Sequence, residues 1–213
     1  MKISFDEREL SGALLCGQLE VNNKPTLMRK TIAGKKNMLV IVDMVKGFCE
    51  FGALSSKRCK DAIPEIKRVA ELMPDAEKVF VRDCHSEKSA EFGYFPKHCV
   101  GEESEIVSEL LALGGVEVKK NSTDAFIQLL SARSNLLDYD NVFITGVCTD
   151  ICVMQLALSV RAYISEFNGN GNVVVLTDAV ETYDSPTHNA DLYNMMAIKL
   201  MEQSGVLVFK RLA

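Results

Sequence analysis

A chain of 213 residues, 47% of them hydrophobic, can bury one sizeable core and needs no second domain to do so. Its formal charge of −5 is spread over interspersed acids and bases, which offers no basic stripe for nucleic acid; the cluster at 29–36 is broken by Thr31-Ile32-Ala33-Gly34 and reads as a solvated connection. No apolar run reaches the ~18 residues of a membrane span and no charged-then-apolar leader opens the chain, so the expectation is a soluble cytoplasmic protein without a membrane partner.

Residues 1–37 precede the first clear strand and read as an arm. A short helix over 5–19 carries Leu10, Leu14, Leu15 and Leu19, which would pack on the rest of the chain or on a second subunit, and a homo-oligomer is expected. From 38 to 213 the pattern is that of one domain. Apolar, mostly β-branched runs at 38–43, 77–83, 116–119, 141–146, 172–178 and 206–209 alternate with helical spacing at 59–72, 103–113, 125–134, 152–167 and 186–203. Strands alternating with helices predict βαβ units, hence a three-layer α/β/α domain around a mainly parallel six-stranded sheet. Right-handed crossovers put helices on both faces and leave ligands to bind beyond the carboxyl ends of the strands.

Several chemically useful side chains fall at those ends. Asp43 follows the deeply apolar run Met38-Leu39-Val40-Ile41-Val42, Lys119 and Lys120 end the third strand, and Cys152 lies just past the fourth, where a helix begins. The positive end of that helix favours thiolate over thiol. The seven cysteines, at 16, 49, 59, 84, 99, 148 and 152, lack the spacing of a disulfide framework or a zinc knuckle and read as reduced thiols. An acid, an ammonium and a thiol at neighbouring strand ends suit amide hydrolysis through a thioester: the carboxylate takes the thiol proton and later gives it to ammonia, while the ammonium steadies the ion pair. Backbone N–H groups at Cys148 and Cys152 are candidates for the oxyanion donors.

A second group ends the second strand. In Asp83-Cys84-His85 the alternation of a strand turns Asp83 and His85 the same way, and Phe95-Pro96-Lys97-His98-Cys99 can return His98 to the same spot. One Asp and two His with open positions suit Zn²⁺ first, with Fe²⁺ or Mn²⁺ as alternatives, and Glu91 would act through a water or as an extra ligand. Cys84 and Cys99 are expected beside such an ion rather than on it.

These segments together resemble the cysteine amidohydrolases of the nicotinamidase/isochorismatase-like family. Thr145-Gly146-Val147-Cys148-Thr149-Asp150-Ile151-Cys152-Val153 is similar to the family's G-x-x-T-D-x-C-V signature, and Val42-Asp43-Met44-Val45-Lys46-Gly47-Phe48 to its strand, catalytic Asp and following Phe. The resemblance implies Cys152 as nucleophile, Asp43 as its base and a cis peptide between Val147 and Cys148. The family's lysine corresponds to Lys120, with Lys119 adjacent. The histidine segments resemble the family's D-x-H … W-P-x-H-C-V metal pattern, with Phe95 where Trp is usual. The activity implied is metal-dependent hydrolysis of nicotinamide to nicotinate and ammonia, feeding NAD salvage. A pyridine nitrogen can replace a metal-bound water and so fix the carboxamide carbon against the thiolate, with Phe48 and Phe95 as apolar walls. The alternatives are a hydrolase of the same fold acting on another small amide, carbamoyl or ureido compound, and a catalytically silent binding or assembly module.

Overall fold

In the computed structural model, which describes Ser4 and residues 6–133 and 135–213, the six apolar runs form strands β1 (Asn37–Val42), β2 (Glu77–Asp83), β3 (Val116–Lys120), β4 (Asn141–Val147), β5 (Asn172–Glu181) and β6 (Leu207–Phe209). All pairings are parallel, in the order β3-β2-β1-β4-β5-β6. The described α-helices are α1 (Glu7–Asn22), α2 (Lys46–Cys49), α3 (Lys57–Asp61), α4 (Ile63–Leu72), α5 (Ser108–Leu111), α6 (Phe126–Ala132), α7 (Met154–Glu166) and α8 (Ala190–Gln203).

Burial on both faces explains why the central strands read as unbroken apolar runs. Leu39, Ile41, Phe80, Phe143, Val174 and Leu176 join one core with Ile66 and Val69 of α4. Met38, Val40, Val42, Val79, Val142 and Ile144 join a second core with Leu129 of α6, Leu156 and Val160 of α7, and Ile198 and Met201 of α8. The three-layer α/β/α architecture expected from the sequence is the observed one, with helices on both faces. The chain moves outward from β1 through β2 to β3, then returns to pair β4 with the other side of β1. The strand order therefore reverses at the β1–β4 junction, the place where an open α/β sheet forms its crevice.

Several boundaries differ from the sequence expectation for identifiable reasons. The helix expected at 59–72 is two, α3 and α4, with Pro64 in the first turn of α4, where its missing N–H costs nothing. The helix expected at 103–113 shrinks to a 3₁₀ turn, Gly101–Ser104, and α5. Between them, Lys46 N–H bonds the carbonyl of Glu105 and Val107 N–H that of Met44, which holds 105–107 extended beside the loop after β1. Asn189 accepts from Leu192 N–H and starts α8 there rather than at 186. Asp6 caps α1 in the same way by accepting from Arg8 and Glu9 N–H. Phe5 and Ser134, expected helix ends, lie outside the described residues. α1 rests on α8 with Gly17 against Met195, while Leu15 and Leu19 remain exposed.

One glycine fixes the junction that matters. Gly146 has φ 113, and a Cβ there would stand 2.0 Å from the Val42 carbonyl oxygen of β1. Gly146→Ala is expected to cost about 3 kcal/mol or more, from backbone strain and overpacking together. A urea midpoint unchanged from wild type would show that the junction tolerates the methyl group.

Candidate active site

Four strand ends supply the site. Asp43 follows β1 in left-handed backbone (φ 54), a conformation Asp tolerates better than most residues, and is fully buried. Its N–H bonds Val81 O at 2.8 Å, fixing it between β1 and β2. On β3 the alternation turns Val118 and Lys120 inward and leaves Lys119 exposed. The peptide between Val147 and Cys148 at the end of β4 is cis. Beyond it, Thr149–Val153 forms a π-helical turn rather than the expected first α-turn, and delivers Cys152 just before α7.

The buried Lys120 ammonium is the hub. Nζ lies 2.9 Å from Asp43 Oδ2, 2.9 Å from Asp83 Oδ1 and 3.7 Å from Cys152 Sγ. Burial raises the Asp43 carboxyl to about 6, with Lys120 pulling the other way, so it is mostly ionised at neutral pH and still close enough to exchange a proton. Burial also opposes ionisation of Asp83, but the facing imidazoles of His85 and His98 and the charge of Lys120 hold it well below the usual carboxylate range. Burial pushes the Cys152 thiol up and Lys120 draws it down, the net being upward. At rest the sulfur keeps its proton, with a carboxylate base beside the same ammonium.

Asp83 turns its second oxygen to two histidines. Oδ2 lies 3.1 Å from His85 Nε2 and 3.3 Å from His98 Nε2, and Glu91 Oε2 is 3.7 Å from His85 Nε2. The other ring nitrogens are engaged elsewhere: His85 Nδ1 lies 2.8 Å from Asn121 Oδ1 and 3.1 Å from Ser89 Oγ, and His98 Nδ1 donates to Pro96 O at 2.7 Å. Outer bonds of this kind orient the imidazoles of a metal site. One ligand atom from each of Asp83, His85, Glu91 and His98 lies within 4.8 Å of the others, and the buried His85 Nε2 has no hydrogen-bond partner. Two imidazole nitrogens and two carboxylates in this arrangement fit a divalent ion such as Zn²⁺, Fe²⁺ or Mn²⁺.

A cleft of about 430 Å³, its open mouth included, unites the two groups. Cys152, Cys148, Asp83, His98 and Glu91 line its polar side, and Phe48, Phe95, Leu54, Ile151 and Tyr183 its apolar side. A larger groove of about 1080 Å³ between α1 and α8 lies away from this chemistry.

The protein-family model that matches the chain is the Isochorismatase domain, over residues 37–208. The chain belongs to the isochorismatase family. Among curated isochorismatase relatives, Nicotinamidase 1 of Arabidopsis thaliana is 30% identical over 177 residues, covering 71% of this chain and 72% of that protein. The solved structure of PnC1 from L. infantum in complex with nicotinate superposes with a TM-score of 0.72 at 23% identity, over 88% of this chain and 98% of that one. N-carbamoylsarcosine amidase from Thermoplasma acidophilum gives 0.63 at 23%, over 82% and 96%. At these identities the structures speak to the isochorismatase fold, while family membership makes the chain a hydrolase.

Every site residue expected from the sequence lies at this one edge of the isochorismatase sheet. Sequence reasoning missed four participants. Asn121 and Ser89 orient His85, Phe92 packs edge-on against both histidines with ring centroids 5.4 and 5.8 Å away, and Tyr183 lines the cleft. Asn121 had one available signal, its position directly after Lys120. It also missed the second role of Asp83, which faces the ligand cluster with one oxygen and Lys120 with the other.

Proposed function

We propose that the chain is a metal-dependent nicotinamidase, converting nicotinamide and water to nicotinate and ammonia within NAD salvage. The observation that carries this reading is one cleft lined both by Cys152, which lies beside the buried Asp43–Lys120 pair, and by Asp83, His98 and Glu91 of the cluster that His85 completes. An ordinary amide hydrolase needs only the first; the second gives an aromatic nitrogen something to bind. The Arabidopsis relative supports the same substrate class.

In this mechanism Asp43 accepts the Cys152 proton and the thiolate attacks the carboxamide carbon. N–H groups at Cys148 and Cys152 receive the developing oxyanion, while Lys120 keeps its charge and holds Asp43 in line. Asp43 then returns the proton to the leaving ammonia, and a water activated by the same carboxylate cleaves the thioester. Asp83, His85 and His98, with Glu91 nearby, would hold the ion, which when bound supplies a Lewis-acidic anchor for the ring nitrogen. Phe48 and Phe95 flank the ring. The seven unpaired cysteines suit a reducing compartment such as the cytoplasm, and the exposed Leu15 and Leu19 of α1 suit assembly with further copies of the chain.

Benzamide, which lacks the ring nitrogen, tests the reading. For the metal-loaded enzyme its kcat/KM is expected about 100-fold below that of nicotinamide, equivalent to roughly 2.7 kcal/mol of anchoring. Chelation, or His98→Ala, should lower nicotinamide turnover and narrow that gap. Equal turnover of the two amides, or full activity in protein shown by metal analysis to be metal-free, would overturn the proposal.

A further inference from the structure

His188 is the one histidine outside the ligand cluster, and the hydrolytic steps above make no use of it. It is nevertheless only 7% exposed. Its ring lies between two tyrosines, 4.0 Å from Tyr183 at an interplanar angle of 10° and 3.8 Å from Tyr193 of α8 at 25°. Both ring nitrogens are engaged, Nε2 with Asp150 Oδ2 and Nδ1 with the Tyr183 backbone oxygen, each at 2.9 Å. The other oxygen of Asp150 accepts from Thr182 Oγ1 at 2.5 Å. A short bridge between Ser185 and His188 closes the loop that carries the ring.

One end of this connection adjoins the cleft and the other lines it. Asp150 belongs to the turn that delivers Cys152, and its neighbour Ile151 lines the cleft. Tyr183 lines it from the segment after β5. His188 thus ties the nucleophile's turn to an aromatic wall that comes from a different strand. A tyrosine stacked on a ring that is itself held at both nitrogens has little freedom to turn, and a surface fixed in advance binds a flat partner without the cost of ordering.

We propose that His188 is a positioning residue for substrate selection: it holds Tyr183 as a flat wall at a set distance from Cys152, so that the cleft favours amides whose acyl group is a planar ring. This deepens the nicotinamidase reading and rests on it for the substrate class. Phe48 and Phe95 bound the ring near His98, and Tyr183 provides the wall joined to the catalytic turn.

Four proteins test the role: wild type, His188→Gln, His188→Phe and Tyr183→Leu. Glutamine removes the ring but can still donate to Asp150, phenylalanine restores a ring between the tyrosines, and leucine removes the wall while keeping apolar volume. With nicotinamide, KM is expected to rise about tenfold in His188→Gln and Tyr183→Leu with kcat within about threefold, a stacking-sized loss. KM for hexanamide should rise far less than tenfold, and His188→Phe should recover most of the ring preference. Equal losses on both amides, or a loss confined to kcat, would reduce His188 to support of the catalytic turn and overturn the proposal.

A second measurement does not depend on hydrolysis. The rate of Cys152 alkylation by iodoacetanilide relative to iodoacetamide, read by mass spectrometry of the Cys152 peptide, should fall about tenfold in His188→Gln and Tyr183→Leu. If wild type does not hydrolyse nicotinamide but its aryl preference collapses in the variants, the nicotinamidase reading fails and the positioning role stands. If the preference is the same in wild type and variants, the positioning role fails whatever the substrate. Should His188→Gln not fold, His188→Phe and Tyr183→Leu make the same comparison, the first retaining the preference and the second losing it.

Discussion

Cys152→Ala should reduce ammonia release by at least about 10⁴-fold, because a nucleophile working as a unit with its base and cation cannot be replaced by either partner. The fold should survive. Only one buried sulfur is lost, at a cost of about 1 kcal/mol, which for a chain of this size moves Tm by roughly 2–4 °C. Cys148 is the rival, since its residue lines the same cleft. The neighbouring Cys59 thiol, together with burial, pushes the Cys148 thiol well up, whereas the burial that raises the Cys152 thiol is opposed by the Lys120 ammonium 3.7 Å away. Iodoacetamide should therefore modify Cys152 ahead of Cys148. Residual turnover in Cys152→Ala that disappears in Cys148→Ala would reassign the nucleophile.

Lys120→Met should be more damaging, because it removes activity and stability together. The ammonium faces two buried carboxylates, Asp43 and Asp83. Breaking a buried ion pair by removing one partner costs about 3–5 kcal/mol, and here two acids would lose their shared cation. A fall in Tm on the order of 10 °C is expected, together with a loss of several orders of magnitude in rate. Asp43→Asn should be as severe for the rate but milder for Tm, since Lys120 keeps Asp83. The double variant should not show the product of the two rate losses. Lys119→Ala, on the exposed side of β3, should change stability by less than about 0.5 kcal/mol. If Lys119→Ala were the damaging change, the register assigned to β3 would be wrong.

The legible parts of the fold were those where one physical cause dominates. Met38 to Val42 sits between two helical layers, so every side chain is apolar and the strand could hardly be read otherwise. β3 lies at the sheet edge, and its alternation of outward and inward residues distinguishes Lys119 from Lys120 only once the buried face is known. Ile106 and Leu110 have helical spacing, yet 105–107 is extended because a distant loop, at Met44 to Lys46, uses its backbone groups. No local pattern reports that competition. The same holds for β5, which runs three residues past the expected Asp178 to Glu181 after its register with β4 shifts between Ile144 and Gly146.

For the candidate site, sequence reveals residue types whose chemistry is unusual at a strand end, which is how Asp43, the Lys119–Lys120 pair and Cys152 stand out. It does not reveal groups whose function is to orient others. Asn121, Ser89 and Asp150 are ordinary loop and turn residues by pattern, and His188 meets Asp150 only after β5 and its following loop have folded back. Phe92 and Tyr183 look like generic core candidates until the cleft exists.

The strand order has one further consequence. Asp43, Asp83, Lys120 and the Cys152 turn come from β1, β2, β3 and β4, so the chemistry is dispersed over half the chain and meets only along one rim. A fragment that lacks any one of these strands cannot keep a weakened version of the site; it has none. Turnover is thus an all-or-nothing gauge of whether the central sheet has assembled. Following its recovery during refolding would time the moment when the last of the four strands takes its place.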